Sequence, residues 1–187
     1  MKHFFLFFLL YSSFIQAQEV QLEFNQLANQ QLEVFVFDGI EVLKLQQHKF
    51  DQAGKLQFKL SSKIEGMGYL SVASKEQNLI VALTDEEIHI TGVDFSDYSS
   101  IEVKKGEDNQ AFFSYSEAYP KRMQVLSAWT FLQERYSQEK RLGNNKKVSQ
   151  QIEKEMNRLL AVDKEFIDNL PETSYIKWVY SEAKISK

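Results

Sequence analysis

The spacing of hydrophobic and polar positions divides the chain near residue 106. Between residues 18 and 106 apolar side chains recur at every second position, most clearly where Leu56, Phe58 and Leu60 alternate with lysine and glutamine. This alternation predicts strands with one buried face. We expect seven or eight short strands, arranged as an antiparallel β-sandwich or a half-open barrel. The predicted strands are residues 32–37, 42–50, 56–60, 69–73, 79–83, 88–90 and 101–103, of which residues 79–83 form a continuous apolar run.

Two of these segments carry further detail. In residues 32–37 both faces of the strand are apolar, because valines alternate with Phe35 and Phe37. Residues 51–54, Asp-Gln-Ala-Gly, predict a tight turn with Gly54 in the left-handed conformation. Because strand patterns flank this turn on both sides, it predicts a hairpin.

Residues 107–187 change to a helical spacing. Apolar side chains three or four positions apart run from Phe112 to Tyr136, which places them on one face of a first helix. Pro120 lies inside this pattern and has no backbone N–H to donate. We therefore expect the first helix to be kinked or split there.

Two more helices are predicted in the remaining sequence. Gly143, followed by asparagine, should end the first helix, and a second helix is expected over about residues 145–169. Pro171 is typical of a first helical turn and predicts the start of a third. The predicted fold class is therefore α+β, with an all-β domain at residues 18–106 followed by a bundle of about three helices at residues 107–187.

The first 17 residues form a separate segment. One lysine precedes an unbroken apolar run at residues 4–10, and the polar chain begins at Gln18. The run is shorter than the roughly 20 residues of a bilayer-spanning helix. The pattern predicts a secretory signal peptide cleaved after Ala17, although Ile15 is large for its position and a neighbouring bond is a second option. A membrane anchor is the alternative. We expect an exported protein, periplasmic in a Gram-negative bacterium or secreted, with no membrane span after cleavage.

Composition and charge exclude several classes of function. The 187 residues have a formal net charge of -4 and include no cysteine. Without cysteine this stretch forms no disulfide, thiolate metal site or iron–sulfur cluster and carries out no thiol redox chemistry. The acidic balance argues against a nucleic-acid partner, which requires a basic face.

Few side chains in this sequence suggest chemistry. His48 is predicted to be a surface histidine, and so is His89, which shares a strand face with Glu87 and could make a weak metal contact. Zinc needs three or four ligands, and no third is indicated. The acidic residues at 85–87 and 107–108 predict a solvated turn and a helix N-terminus. No nucleophile elbow or phosphate-binding loop occurs. We predict no catalytic, cofactor-binding or metal-binding residue.

Several features of the β segment and the first helix occur together in one known kind of domain. They are Val34-Phe35-Val36-Phe37 before a turn, the segment 51–58, Gly68-Tyr69-Leu70, the two strands of residues 79–90, and Asn109-x-x-Phe112-x-x-Tyr115 opening a helix. With them, residues 31–119 resemble an uncharacterised all-β domain at the N-terminus of exported bacterial thioredoxin-like proteins of the alkyl-hydroperoxide-reductase/thiol-antioxidant type. The resemblance implies that a helical segment follows, and in many members a thioredoxin domain with a Cys-x-x-Cys motif comes last. This chain contains no cysteine, so no catalytic residue carries over.

The function expected from these observations is non-catalytic. The chain would be a scaffold or interaction module, associated with a periplasmic thioredoxin-like protein or with a redox domain of its own further downstream. A second copy could bind through the last helix, by Tyr175, Val179 and Tyr180. The alternative is a carrier of a small apolar molecule, with a mouth lined by Tyr69 and Phe58. A hydrolase built from unremarkable residues is a third hypothesis.

Overall fold

Two four-stranded sheets, followed by three helices, make up the part of the chain that the computed structural model describes, residues 18–38, 41–60, 66–138 and 146–185. This arrangement confirms the predicted α+β class. The predicted signal peptide and the predicted stop at Gly143 lie outside the described residues. The strands are β1 (Glu19–Phe24), β2 (Gln31–Asp38), β3 (Glu41–Lys49), β4 (Lys55–Lys59), β5 (Gly66–Val72), β6 (Gln77–Leu83), β7 (Ile88–Gly92) and β8 (Glu102–Lys105). The helices are α1 (Glu107–Gln138), α2 (Lys146–Asp168) and α3 (Tyr175–Ile185).

The strands pair into a sandwich. The first sheet has the order β4-β1-β7-β8, and the second has the order β3-β2-β5-β6. One pair departs from the antiparallel pattern, since β1 and β7 run parallel with Leu22 opposite Ile90. Strand β1 was not among the seven segments picked out by their spacing, and it occupies the centre of its sheet beside β4 and β7.

The core lies between the two sheets and consists of the inward-facing residues of both. In β1 these are Val20, Leu22 and Phe24, which are fully or almost fully buried. Phe24 meets Phe95 edge to face, with 4.8 Å between the ring centroids. Interleaved aromatic and aliphatic side chains of this kind supply most of the stability of a small sandwich.

Residues 51–54 form the predicted turn but not the predicted hairpin. Gly54 has a φ of +75°, and a Cβ there would lie 2.2 Å from the carbonyl oxygen of Phe24, so only glycine fits. The turn leads from β3 in the second sheet to β4 in the first. The hairpin prediction is wrong because β3 pairs with β2 and β4 pairs with β1. The turn therefore crosses between the sheets.

The helices cover one side of the second sheet. Ala82 on the outer face of β6 is fully buried in a cluster with Ala111 of α1 and Ile176 of α3. This cover explains why residues 79–83 are apolar on both faces although β6 lies at the edge of its sheet. The helical segment is therefore packed on the sandwich through α1 and α3.

Two predictions about helix boundaries need correction. Of the two outcomes expected at Pro120, the split is wrong, because α1 continues from Glu107 to Gln138 with the proline inside it, and the kink stays a prediction. The third helix begins at Tyr175 rather than at Pro171. The reason is capping, since the Ser174 hydroxyl accepts a hydrogen bond from the Lys177 N–H at 3.2 Å and so fixes the helix start.

Candidate functional sites

An apolar surface lies on the outer face of the second sheet, beyond the helices. We call it the aromatic face and define it by Phe35, Phe37, Val42, Tyr69 and Ile80. The strand registers place Phe37 opposite Val42 and Tyr69 opposite both Phe35 and Ile80. The Phe35 and Tyr69 rings stack at 4.7 Å between centroids, and Phe37 lies 5.6 Å from the same tyrosine. These five side chains therefore form one continuous patch.

Much of this patch is in contact with solvent. Phe37 is 41% exposed, Val42 46% and Ile80 41%. Single exposed apolar residues are ordinary on a protein surface, but a contiguous group often marks a contact site. An ion pair borders the patch, in which Lys44 Nζ lies 2.5 Å from Glu33 Oε1. The aromatic face thus has an apolar centre beside a charged rim, as protein interfaces do.

Strand β3 forms one side of the aromatic face and is an edge strand of nine residues. The opposite edge of the same sheet is closed by a side chain. Asn109, which is fully buried, accepts a hydrogen bond from the Ala82 N–H at 2.9 Å and donates one to the Ala82 carbonyl at 2.8 Å. The amide of Asn109 therefore takes the place of a neighbouring strand on β6.

A second cluster lies where the three helices meet. The Arg122 guanidinium binds the Asp163 carboxylate, with Nε 2.5 Å from Oδ1, and both side chains are largely buried. Arg122 also lies over the Tyr115 ring, 5.5 Å from its centroid. Tyr115 contacts the rings of Phe166 and Tyr180 at 5.3 and 4.3 Å between centroids. This cluster joins α1, α2 and α3.

The two tyrosines of the helix cluster are not suited to acid–base chemistry. Burial, with the nearby Asp163 carboxylate as a smaller cause, raises the pKa of Tyr115 to about 12. Burial also raises the pKa of Tyr180 to about 12. A general acid or base works best with a pKa near the ambient pH. At neutral pH both phenols stay protonated, so we assign the helix cluster a packing role.

A third group of polar side chains joins two helix N-termini. The Asp108 N–H at the start of α1 donates to Glu86 Oε2 at 3.2 Å. The Asp108 carboxylate accepts from the Ser174 hydroxyl at 2.7 Å and from the Ile176 N–H at 3.2 Å, at the start of α3. The prediction that these acidic residues are solvated is wrong for Asp108, which is buried because it caps a second helix.

Glu86→Gln is expected to give a small gain in stability at neutral pH. Burial, with help from the Asp108 and Glu107 carboxylates, raises the pKa of Glu86 above its ordinary value of 4.5. The Glu86 carboxyl group therefore binds its proton more tightly in the folded protein than in the unfolded chain. Glu86 therefore opposes folding above its folded pKa, and this penalty fades as the pH falls towards 4.5. The carboxamide carries no charge but can still accept the Asp108 N–H.

Urea unfolding at a series of pH values measures this effect as the difference between variant and parent. The advantage of Glu86→Gln should shrink as the pH is lowered from 7 to 4.5. The matched control is Glu23→Gln, because the Glu23 carboxylate accepts a hydrogen bond from Lys55, and this bond lowers the pKa of Glu23. That variant should show the opposite trend. A Glu86→Gln advantage that is independent of pH would contradict the assignment.

The histidines do not form a metal site with Glu87. His48 stacks on Phe58 at 4.1 Å between ring centroids, and burial lowers the pKa of His48. It is thus half-buried rather than on the surface as predicted. His89 Nε2 lies 3.3 Å from Glu23 Oε1, whereas Glu87 binds Lys105 Nζ at 2.8 Å. In the part of the chain that the structure describes, no group of three or more potential ligands could hold a metal ion.

The two residues proposed to line a carrier mouth lie on different surfaces. Phe58 points into the sandwich and is buried in its core, whereas Tyr69 lies on the outer face of the second sheet. An open pocket of about 200 Å³ near Gln30 and Ser74 and one of about 300 Å³ near Gln21 and Leu56 have mainly polar residues around them. Neither is suited to an apolar ligand.

Gln18, the residue before β1, is buried in an unusual way. Its side chain has the same inward parity as Val20 and Leu22, and the residue is 7% exposed. Its carbonyl accepts the Leu60 N–H at 2.9 Å. Among the described residues, neither Oε1 nor Nε2 of Gln18 has a hydrogen-bond partner. Leaving a buried polar group unpaired costs about 1–3 kcal/mol, so this amide is out of place in an apolar core.

The last helix presents a different residue from those predicted. Tyr175, Val179 and Tyr180 are half-buried, and the two tyrosines pack on the cluster around Ala82. Trp178 is 58% exposed instead. Across the residues that can be described, no helix has the length and apolar character required to cross a bilayer.

Comparison with known proteins adds no family. No family model matches the chain, and no curated protein matches it in sequence. Among solved structures, one match is the crystal structure of a 9R-lipoxygenase from Cyanothece PCC8801, which is 19% identical. The match covers 37% of this chain and 14% of the lipoxygenase chain, with a TM-score of 0.25. A likeness at this level carries no argument about fold or activity.

Spacing and composition missed most of these sites. For the aromatic face, the sequence indicated only that the strand at residues 32–37 is apolar on both sides. The spacing did not show which side other parts of the protein would cover. The Arg122–Asp163 pair joins residues 41 positions apart. Gln18 was noted only as the first polar residue after the apolar leader. Asn109 was singled out only as part of the motif that carries the family resemblance. Nothing in the sequence indicated that its side chain would bind the backbone of a strand.

Proposed function

We propose that the chain is an exported, non-catalytic interaction module that binds a protein partner through its aromatic face. The observation that carries this proposal is the contiguous exposure of aromatic and aliphatic side chains around the stacked pair Phe35 and Tyr69. Burying such a patch would be favourable in proportion to the apolar area removed from water. The chain has no cysteine and thus no thiol redox chemistry of its own.

The position of the patch also supports a role in binding. The edge strand β3 lies beside it, so a partner could cover the aromatic face and also pair with the backbone of this strand. The helices cover the β6 side of the same sheet, while Phe37 and Val42 on the β3 side are exposed. A surface that the protein's own helices leave open is a suitable place for a second protein.

The sequence resemblance supports the class of partner that we propose. Domains of the similar type occur together with thioredoxin-like domains, and we propose an exported thioredoxin-like protein as the partner. In this arrangement the partner supplies the redox chemistry, and this chain positions it. The half-buried patch offers what such docking requires, which is aromatic anchors beside a pair of charged side chains.

Site-specific photocrosslinking in the exported protein tests the proposal. A photoreactive residue in place of Phe37 is expected to give one discrete adduct, whose mass and peptides identify a protein with a Cys-x-x-Cys motif. The matched control is the same residue in place of Phe131, an exposed phenylalanine on α1 away from the patch. No adduct, or the same adduct at both positions, would contradict the aromatic face as the binding site.

Phe37→Asp is expected to weaken binding to the crosslinked partner about thirtyfold, which corresponds to about 2 kcal/mol for an aromatic anchor. The reason is that burying a carboxylate in an apolar contact is costly. Isothermal titration with the purified partner measures the effect, and Phe131→Asp provides the control. If the crosslinked adduct contains two copies of this chain, the aromatic face binds a second copy and the proposal of a thioredoxin-like partner is wrong.

A further inference from the structure

The strongest unexplained feature outside the aromatic face is the side chain of Gln18. It is more than nine-tenths buried, it faces the core beside Val20, and neither amide atom has a partner among the described residues. Other buried polar atoms without a partner, such as the Thr84 hydroxyl oxygen, belong to residues far along the sequence from the predicted mature N-terminus. Gln18 is different because the predicted signal-peptide cleavage falls directly before it.

We propose that the mature chain begins with Gln18 in the form of pyroglutamate and that its lactam ring occupies the buried position at the start of β1. The inference rests on the export that is part of the proposed function, and it narrows the cleavage to the bond after Ala17. With the preceding residues attached, Gln18 is 7% exposed and its side chain faces the core, so cleavage there would create an α-amine beside an apolar layer. A charged ammonium in that position would lose part of its hydration.

Cyclisation removes this charge by chemistry that the residue carries itself. The α-amine attacks Cδ of the same side chain, an N–Cδ bond forms, and the Cδ–Nε2 bond breaks. Nε2 leaves as ammonia and takes one proton from the amine, so no oxidant, reductant or co-reactant is needed. The product is a neutral five-membered lactam with one N–H and one carbonyl. The lactam keeps one carbonyl and one N–H, but the charge of the terminal ammonium is gone.

The main-chain contact of Gln18 survives this reaction. The carbonyl that accepts the Leu60 N–H belongs to the backbone and takes no part in cyclisation. The ring is compact and largely apolar, as suits a site beside Val20 in the inner layer of the sandwich. The newly exported chain exposes this end before β1 is packed between β4 and β7, which gives the amine access to Cδ.

Mass spectrometry of the full-length chain, expressed with its leader in a Gram-negative host and purified from the periplasm, tests the inference. The expected product starts at Gln18 and is lighter than the uncyclised chain by one ammonia. Its first peptide should resist a general aminopeptidase and be opened by pyroglutamyl aminopeptidase. Gln18→Ala is the control, since it should be cleaved at the same bond, lack the mass loss and stay open to the aminopeptidase.

The possible failures are distinguishable. A chain cut after Ala17 whose Gln18 keeps its ammonia after prolonged incubation would overturn the inference and leave export intact. A cut at a neighbouring bond would also overturn it, because Gln18 would then not be the first residue. A chain that keeps its leader would overturn both the inference and the proposed export.

A second measurement tests the structural reason for the ring. The cyclised protein is expected to unfold at a higher urea concentration than the same protein purified rapidly before cyclisation, because the ring carries no charge into the buried position. An equal or lower midpoint for the cyclised protein would overturn the claim that this position accommodates the lactam.

Discussion

Asn109→Ala is expected to lower the free energy of unfolding by about 2–6 kcal/mol, since it leaves two buried backbone groups without partners at about 1–3 kcal/mol each. In the parent protein the Asn109 amide satisfies both the N–H and the carbonyl of Ala82, which is fully buried on the edge strand β6. Guanidinium unfolding followed by circular dichroism measures the loss.

The matched control for this prediction is Asn78→Ala. Asn78 lies on the same strand but is exposed, and its replacement should change stability by less than about 0.5 kcal/mol. Asn109→Asp provides a further test. Its carboxylate can accept the Ala82 N–H but cannot donate to the Ala82 carbonyl, so stability should recover partly at acid pH, where the protonated carboxyl donates again. A loss for Asn109→Ala no larger than that of the control would contradict the bridging role.

Asp163→Ala is expected to destabilise the helical segment by about 2–4 kcal/mol, somewhat below the full cost of breaking a buried ion pair because Arg122 keeps some contact with water. The substitution leaves the Arg122 guanidinium between helices without a carboxylate. Among the described residues, the contact with the Tyr115 ring and the small part of the guanidinium that water reaches would then stabilise the charge. Thermal unfolding, together with hydrogen exchange of the α1 and α2 amides, measures the effect and locates it.

A neighbouring ion pair provides the control for Asp163→Ala. Lys121 and Glu117 form an exposed pair one helical turn apart on α1, and Glu117→Ala should cost about 0.3–0.5 kcal/mol. The double variant Arg122→Met with Asp163→Leu should recover most of the stability, because apolar side chains of similar size fill the same space. The assignment fails if Asp163→Ala costs no more than Glu117→Ala.

Much of the fold follows from spacing between near neighbours. Alternating residues, together with short apolar runs between turn residues, predicted seven of the eight strands, and the change of spacing near residue 106 coincides with the start of α1 at Glu107. The turn at residues 51–54 was predicted because Gly54 suits a positive φ. These features are local, since a strand, a helix face or a tight turn is specified by residues within a few positions of one another.

The candidate sites were less accessible to the same reasoning. The apolar sides of β2 are visible in the sequence, but only the packing of the helices shows that the β3 side of the sheet is left open around Phe37. Capping of α3 by Asp108 joins residues 68 positions apart, and spacing predicted a solvated carboxylate instead. The predicted absence of catalytic and cofactor-binding residues stays a prediction.

The sequence alone determined the α+β class, the position of most strands and helices, and the absence of thiol chemistry from this stretch, because composition and local periodicity depend on no distant contact. The tertiary structure decided the parallel pairing of β1 with β7, the crossing between sheets at Gly54, the closure of β6 by Asn109 and the burial of Gln18. Each of these features depends on which distant segments pack together. Contacts throughout the core stabilise that packing, and the spacing of neighbouring residues does not reveal them.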